Sequence, residues 1–436
     1  MLEVLLIPSD HGGGMGHVAR CLYLGRRLVE RGHRVGIVLE PKHYAIGIRE
    51  GLTTFLLDTR RERWLKYQWK RPFRPRLKLK TRVWEAPIFV EFSSLAYQVP
   101  RDGYLSEKIV RYRWRILCEI VETFRPQVLI GDTHFLTRLL GARYRLPVVQ
   151  ITRFAGYPPD PRLIWWKTVP PDLVEPAALA PFQQLVQQVG LTDVRRAEDL
   201  LRGDRYLIPS IPEIEPIASP DASTLFCGPF AEDGKVSSRE VFPFPDPGPR
   251  IYVSIGGGAG RSGEKQFFRV VQEAFADTPF QVLVSTGKRI AARKFQGSAH
   301  NMIFRDWVNG PAAISWCDLV IFHGGYATMM ETLLAARPAL VVPSHTEQEG
   351  NGRRLQTLNV GRVLCLHHER FKPLVFQWPY GLYQMRAAFD FALTPDVLRQ
   401  TCEQMIQTLP RETLQLIQQK LKKYQQTFDI ENALAF

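Results

Sequence analysis

The sequence predicts an α/β protein in which two similar domains, each built on a parallel sheet, face one cleft. Short apolar runs such as EVLLIP and IYVSIGGG alternate with amphipathic helical stretches in both halves of the chain. This alternation is typical of parallel sheets that helices cover on both faces. A length of 436 residues also exceeds what one ordinary core supports, which favours two domains.

The order of these runs predicts the domain boundaries. Candidate strands of the first half are EVLLIP, RVGIVLE, QVLIGD and LPVVQIT, and those of the second are IYVSIGGG, QVLVSTG, MIFRDW, CDLVIFHGG and ALVVPS. Proline is dense between the two sets. We predict an N-terminal acceptor-binding domain over residues 1–215, a linker over 216–249, a C-terminal donor-binding domain over 250–405 and a terminal helix over 406–436.

Composition limits the class of protein. Hydrophobic residues make up 45% and charged residues 23% of the chain, as in soluble globular proteins. No apolar run approaches the ~20 residues of a membrane-spanning helix, and we do not expect the first residues to be a signal peptide. The six cysteines are scattered, which favours a reduced, cytoplasmic compartment and argues against a thiolate metal site.

The net charge of +14 is concentrated in one stretch. Residues 60–85 contain eleven Lys and Arg against two acidic residues, with aromatic side chains interleaved. Such a stretch can be a solvated surface insertion, or it can bind an anionic membrane surface as a peripheral contact. Both interpretations stay open. Nucleic acid is not predicted as a partner, since no known nucleic-acid-binding signature accompanies the stretch.

A glycine loop, HGGGMGH, follows the first predicted strand. Gly14, Gly16 and Ala19 satisfy the G-x-G-x-x-A pattern of dinucleotide-binding loops, and Glu40 ends the next strand. This pattern predicts, as an alternative function, a nicotinamide- or flavin-dependent oxidoreductase. His17 is awkward in that role because an imidazole at the helix start would crowd a pyrophosphate.

A second strand-to-helix turn contains His323, Gly324, Gly325 and Thr328. Backbone N–H groups and the positive end of a helix dipole can hold a diphosphate there. Glu331, one turn into the helix, is a candidate acceptor for ribose hydroxyl groups.

The next predicted strand, ALVVPS, runs into the polar loop HTEQEGN. Glu347 and Gln348 of this loop can bind a polyol such as a sugar. Phosphate-, ribose- and sugar-binding groups thus follow one another in the order that a nucleotide-sugar requires.

These residues resemble the signature of GT-B fold nucleotide-sugar glycosyltransferases, of the UDP-glycosyltransferase and macrolide glycosyltransferase group. The resemblance rests on Trp307, on H-G-G-Y-A-T-x-x-E from His323 to Glu331, and on E-Q-x-x-N from Glu347 to Asn351. GGGMGHVAR is similar to the N-terminal loop of that group. The resemblance implies two Rossmann-like domains and a C-terminal helix that returns to the N-terminal domain.

The resemblance also implies the roles of individual residues. His17 matches the catalytic histidine and Asp132 the aspartate that orients it. A general base of this kind removes the proton from an acceptor hydroxyl group, which is otherwise a poor nucleophile. The predicted donor-binding set is Gly16, Gly256, Trp307, Val308, His323, Gly324, Gly325, Thr328, Glu331, Glu347 and Gln348.

The expected function is an inverting transfer of a hexose from a UDP- or dTDP-sugar to a hydroxyl group of a hydrophobic small molecule or lipid. No metal is expected, because the chain contains no D-x-D pair, and no cofactor is expected, because the nucleotide-sugar is a substrate. A non-catalytic nucleotide-sugar-binding protein is a further alternative.

Overall fold

The computed structural model describes residues 1–9, 15–57, 87–218, 220, 222–231, 242–244, 247–256, 263–288, 290–295, 297 and 299–436. The predicted membrane-binding stretch 60–85 and Gly14 of the predicted dinucleotide loop lie outside this part of the chain, as does much of the predicted linker. In the described ranges no helix combines the length and the apolar character needed to span a bilayer.

The strands are β1 Glu3–Pro8, β2 Arg34–Leu39, β3 Thr53–Leu56, β4 Phe89–Glu91, β5 Val128–Asp132, β6 Val148–Ile151, β7 Arg205–Ile208, β8 Thr224–Phe226, β9 Arg250–Ser254, β10 Gln281–Ser285, β11 Met302–Arg305, β12 Leu319–Phe322, β13 Ala339–Val341, β14 Gly361–Val363, β15 Lys372–Trp378 and β16 Gly381–Ala388. One parallel sheet has the order β3-β2-β1-β5-β6-β7-β8, and a second has the order β11-β10-β9-β12-β13-β14. The predicted α/β fold with two parallel sheets is confirmed.

The helices are α1 Gly16–Glu30, α2 Tyr44–Arg49, α3 Gln98–Arg101, α4 Glu107–Phe124, α5 Thr137–Tyr144, α6 Gln183–Gln188, α7 Glu264–Phe275, α8 Gly310–Trp316, α9 Tyr326–Leu334, α10 Thr346–Thr357, α11 Pro395–Thr408, α12 Arg411–Thr427 and α13 Ile430–Leu434. Short 3-10 turns cover Leu95–Tyr97, Ala180–Phe182, Ala197–Leu201 and Ala292–Phe295.

Helices cover both faces of the first sheet, and β1 illustrates why its sequence is a continuous apolar run. Successive strand residues point to opposite faces. Leu5 and Ile7 therefore pack with α4 in one cluster, whereas Val4 and Leu6 pack with α1 in another. A strand buried on both faces has no position for a polar residue.

The end of the chain returns to the first domain, as the resemblance implies. Ile430 and Leu434 of α13 share a buried cluster with β1 and α1. Residues 406–436 are, however, not one helix. Pro410, which has no backbone N–H to continue α11, separates that helix from α12, and the side chain of Asp429 accepts a hydrogen bond from the N–H of Glu431 to begin α13.

The first sheet extends beyond residue 215. Strand β8 lies in the range 216–249 that the proline content predicted as a linker, and it pairs with β7 in parallel. The boundary prediction rested on prolines, which mark loops on both sides of β8 but do not exclude a three-residue edge strand between them.

A third sheet connects the two domains and is absent from the sequence prediction. Strands β15 and β16 form an antiparallel hairpin through the two-residue loop Pro379–Tyr380, and β16 pairs with β4 from the N-terminal half. Trp378 at the hairpin tip is buried in the core of the first domain. The hydroxyl group of Tyr380 accepts a hydrogen bond of 2.9 Å from the backbone N–H of Glu107. The hairpin of the C-terminal half is thus anchored in the N-terminal half.

Candidate functional site

A cavity of about 980 Å³ lies between the two parallel-sheet domains and is lined by residues of both. Its walls are formed where strands of the two sheets end, since Asp132 closes β5 and Phe322 closes β12. Ligands of open α/β sheets bind outside the carboxyl ends of strands. The cavity therefore lies where the fold predicts a ligand.

His17 and Asp132, predicted from distant parts of the sequence, are in direct contact. Nδ1 of His17 lies 2.7 Å from Oδ1 of Asp132. Burial alone would raise the pKa of Asp132, but the charges and hydrogen bonds of Arg20 and His17 outweigh burial and lower that pKa to about 2. An ionised carboxylate only accepts hydrogen bonds, so the contact with Asp132 favours the tautomer with the proton on Nδ1, and Nη2 of Arg20 also lies 2.9 Å from this nitrogen.

Arg20 was not predicted, although it lies one helical turn after His17 on α1. Its Nε donates to Oδ2 of Asp132 at 2.8 Å and its Nη2 donates to Oδ1 at 2.9 Å. The carboxylate is 0% exposed, so this bidentate pair compensates the cost of burying its charge. The histidine–aspartate centre therefore consists of His17, Asp132 and Arg20.

The residue that follows Asp132 has an unusual backbone conformation. Thr133 has a φ of 54°, a left-handed conformation that is unusual for a β-branched residue. This turn follows β5 directly, and Thr133 lines the cavity. Strain of this kind is found at functional sites more often than elsewhere.

The predicted phosphate-binding turn is a close-packed strand-to-helix junction on the cavity wall. His323, Gly324, Gly325 and Thr328 all line the cavity. A Cβ added at Gly325 would lie 2.5 Å from Nε2 of His323, and one at Gly324 would lie 2.6 Å from the backbone oxygen of Gln348. The glycines are therefore required by the packing of the histidine and of the neighbouring helix.

Helix α9 begins at this junction. The first intrahelical hydrogen bond joins the N–H of Met329 to the oxygen of Gly325, so the N–H groups of residues 326–328 precede it. These groups and the positive helix end form an anion-binding position. Gly256, with a φ of 73°, passes over the ring of His323 on the other side, where a Cβ would lie 2.5 Å from Cε1.

Trp307 lies at the edge of the cavity. Its side chain is 62% exposed, and Nζ of Lys288 lies 5.6 Å from its ring centre. A ring this exposed is available to stack on a nucleobase. Val308, predicted with it, is 3% exposed in the core of the second domain, so its side chain is not part of the cavity lining.

Glu331 is partly buried on α9 and is not among the residues that line the cavity in the described part of the chain. A Cβ at Gly310, three residues after Trp307, would be 3.7 Å from its Oε2. Burial raises the pKa of Glu331 to about 7. The carboxylate therefore changes charge near neutral pH beside the predicted nucleoside position.

The raised pKa predicts a pH-dependent stability. The folded protein keeps the Glu331 proton up to about pH 7, whereas the unfolded chain releases it near the ordinary glutamate value of about 4.3. Its contribution to the free energy of unfolding therefore falls as pH rises between these values, by on the order of 2 kcal/mol between pH 5 and pH 8. We expect Glu331→Gln to remove this fall in urea unfolding at the two pH values. Glu412→Gln, at an exposed position on α12, is the control and should leave the fall unchanged.

Glu347, which is predicted with Gln348 to bind the sugar, is hydrogen-bonded to an arginine of the first domain. Nη2 of Arg153 donates to Oε1 of Glu347 at 3.0 Å, and Nη1 donates to Oδ1 of Asn351 at 3.2 Å. Burial would raise the pKa of Glu347, but nearby positive charge, chiefly that of Arg153, lowers it to about 2. Oε1 of Gln348 accepts from Ser344, so part of this side chain fixes the loop.

Arg153 was missed by sequence reasoning. It directly follows the predicted strand LPVVQIT, which contains β6, but no motif singled it out. Its guanidinium lies 4.3 Å from the ring centre of Tyr326, the first residue of α9, and Arg20 lies 5.8 Å from the same ring. The tyrosine thus lies between the histidine–aspartate centre and the predicted sugar site.

Part of the cavity lining is apolar. Leu95 and Tyr97 of the first domain belong to it, together with Tyr383 and Met385 of β16. Gly156 lies against Leu95, since a Cβ there would be 2.6 Å from its Cδ1. A cavity lined by both polar and apolar groups can accept two different ligands, and His17 is on the wall of the same cavity.

The structure supports the predicted dinucleotide-binding site less well than the predicted donor-binding site. Of its residues, Gly16 lines the cavity, but Glu40 pairs with Lys42 at 3.8 Å and is not among the residues that line the cavity in the described part of the chain.

Comparison with known proteins gives one matching family. Residues 253–373 match the glycosyltransferase family 28 C-terminal domain. This range contains the last two residues of β9, the strands β10 to β14 and every predicted donor-binding residue except Gly16.

Two relatives are similar to this chain over about half its length. A PGL/p-HBAD biosynthesis glycosyltransferase of Mycobacterium tuberculosis is 29% identical over 271 residues, which are 56% of this chain and 60% of that protein. Demethyllactenocin mycarosyltransferase of Streptomyces fradiae is 28% identical over 252 residues, which are 54% of this chain and 52% of the relative. The match thus spans less than two thirds of either relative.

Solved structures share the fold over nearly the whole chain. The structure of the glycotransferase of kitacinnamycin superimposes with a TM-score of 0.68, at 18% identity, over 97% of this chain and 96% of that one. A likeness at this identity establishes the arrangement of two facing Rossmann-like domains.

Proposed function

We propose that the chain is a nucleotide-sugar glycosyltransferase with the GT-B fold, of the UDP-glycosyltransferase and macrolide glycosyltransferase group, and that it catalyses a specific reaction. It moves a hexose from a UDP- or dTDP-sugar to a hydroxyl group of a hydrophobic small molecule or lipid, with inversion and without a metal. The observation that carries the proposal is the 2.7 Å contact of His17 with Asp132 in a cavity shared with the start of α9.

The start of α9 holds the donor. Its N–H groups, with the hydroxyl group of Thr328 and the imidazole of His323, bind the diphosphate. Trp307 stacks on the base, Glu331 accepts from the ribose and Glu347 with Gln348 contacts the hexose. The negative charge that develops on the leaving diphosphate is stabilised by the helix end, so no metal is needed.

His17 activates the acceptor. Its Nε2 takes the proton of the acceptor hydroxyl group while the oxygen attacks the anomeric carbon from the face opposite the diphosphate. The bond from that carbon to the diphosphate oxygen breaks, and the nucleoside diphosphate leaves with the electron pair. Asp132 stabilises the imidazolium that forms.

The named relatives support the acceptor class. One is named for PGL/p-HBAD biosynthesis and the other for demethyllactenocin, which favours natural-product or glycolipid acceptors. The reported matches are all glycosyltransferases, which favours transfer over the alternatives of an oxidoreductase or a non-catalytic binding protein. A cytoplasmic location, with contact to anionic membranes through residues 60–85, stays part of the proposal.

A panel of nucleotides tests the donor. Saturation at a hundredfold excess over the dissociation constant stabilises a protein by about 2.7 kcal/mol, so UDP, dTDP or their hexoses should raise the melting temperature. With the best donor, we expect EDTA to leave the transfer rate unchanged and the product anomer, read by NMR, to be inverted. The donor assignment fails if no uridine or thymidine diphosphate shifts the melting temperature.

A further inference from the structure

The hairpin β15–β16, which belongs to the C-terminal half of the chain, supplies part of the apolar lining of the cavity. Tyr383 and Met385 line the cavity beside Tyr97 of the first domain. In an antiparallel pair, directly opposite residues share a face. Phe376 opposes Tyr383 and Leu374 opposes Met385, so these four lie on the face of the hairpin toward the cavity.

This face is held rigidly by aromatic contacts. The ring of Tyr383 stacks on Phe376 at 5.0 Å with an interplanar angle of 13°, and it meets Tyr97 edge-on at 6.1 Å. The hydroxyl group of Tyr97 donates to the backbone oxygen of Gln384 at 3.0 Å. The two tyrosines are thereby fixed across the boundary between the domains.

A buried charge cluster joins β16 to the neighbouring strand β4. Glu91 of β4 is 1% exposed and pairs with Arg386 of β16 at 3.4 Å and with Lys167. Removing one partner of such a cluster leaves a buried charge unpaired, which is costly. The register of the hairpin against β4 is therefore specified, and with it the position of Met385.

We infer that the inner face of this hairpin, Tyr383 with Met385, selects the acceptor, which is an alcohol or phenol with an extended apolar body. The inference rests on the proposed function and assigns acceptor selection to both halves of the chain instead of the N-terminal domain alone. The apolar body lies along Leu95, Tyr97 and the hairpin, while its hydroxyl group reaches His17.

A series of 4-alkylphenols from ethyl to octyl tests the inference. With the wild-type protein, kcat/KM should rise by about fourfold for each methylene group that enters the cavity. Met385→Trp fills the space beside the apolar lining. The kcat/KM for octylphenol divided by that for ethylphenol should therefore fall at least tenfold, with the donor KM unchanged. Met385→Ala should keep the rise.

Val375→Trp is the matched control. Val375 is 54% exposed on the outer face of the same hairpin, so this variant should keep the wild-type ratio. Equal ratios in Met385→Trp and the wild type overturn the inference.

Binding separates this inference from the proposed reaction. Calorimetry of 4-octylphenol and 4-ethylphenol in the presence of UDP needs no turnover. Tighter binding of the octyl compound that Met385→Trp abolishes supports the hairpin site even if no phenol is glycosylated. Equal affinity of the two phenols for the wild-type protein contradicts it.

Discussion

Replacement of His17 by alanine is expected to slow glycosyl transfer by a factor of about 10²–10⁴, the usual contribution of a general base. The side chain is 27% exposed on the cavity wall, so its loss leaves no large void in the core. Donor affinity should change little because the proposed donor-binding groups, apart from Gly16, belong to the C-terminal half of the chain. The measurement is kcat at saturating donor, alongside the UDP dissociation constant.

His300→Ala controls for the loss of a histidine in general. The side chain of His300 is 61% exposed and is not among the residues that line the cavity, so this variant should transfer at the wild-type rate. A His17→Ala protein that retained more than a third of the wild-type kcat would remove the histidine from the reaction.

The sequence predicted the parts of the site that local chemistry dictates. A glycine-rich turn between an apolar strand and a helix, as at Gly324 and Gly325, has few alternative uses, and the structure explains both glycines by the contacts that a Cβ would make. His17 and Asp132 were identified through the resemblance to the glycosyltransferase signature, and each lies at or beyond the carboxyl end of a strand of one parallel sheet. Carboxyl ends of parallel strands meet at one edge, so their contact follows from the fold.

The missed residues depend on contacts between distant segments. Arg20 had a local signal, its position one turn after His17, but its role depends on the burial of Asp132. Arg153 had none, since its partner Glu347 belongs to the other domain. The hairpin strands are joined by Pro379 and Tyr380, but nothing local in the sequence indicates that β16 pairs with β4.

Replacement of Asp132 by asparagine is expected to have the other large effect. An Asn side chain can donate to Nδ1 of His17, which moves the ring proton to Nε2 and blocks proton uptake there. The same change in catalytic triads lowers kcat by about 10⁴-fold. The variant also leaves the buried guanidinium of Arg20 unpaired, which should lower the free energy of unfolding by about 3–5 kcal/mol.

The contribution of Asp132 to the stability of the wild-type protein decreases at low pH. The pKa of Asp132 is about 2 in the folded protein, below the ordinary value of about 3.9. Its stabilising contribution, on the order of 2 kcal/mol, is complete above pH 4 and is lost as pH falls toward 2. Urea unfolding from pH 6 to pH 2 should register this loss in the wild type and not in Asp132→Asn.

The double variant Asp132→Asn with Arg20→Met separates the two roles of the carboxylate. Removing the guanidinium together with its partner takes away the unpaired charge, so stability should recover well above that of Asp132→Asn alone. Transfer should stay slow, because Nδ1 of His17 still lacks a carboxylate acceptor. If the double variant regained the wild-type kcat, Asp132 would act only by balancing the charge of Arg20. Another group would then have to orient His17.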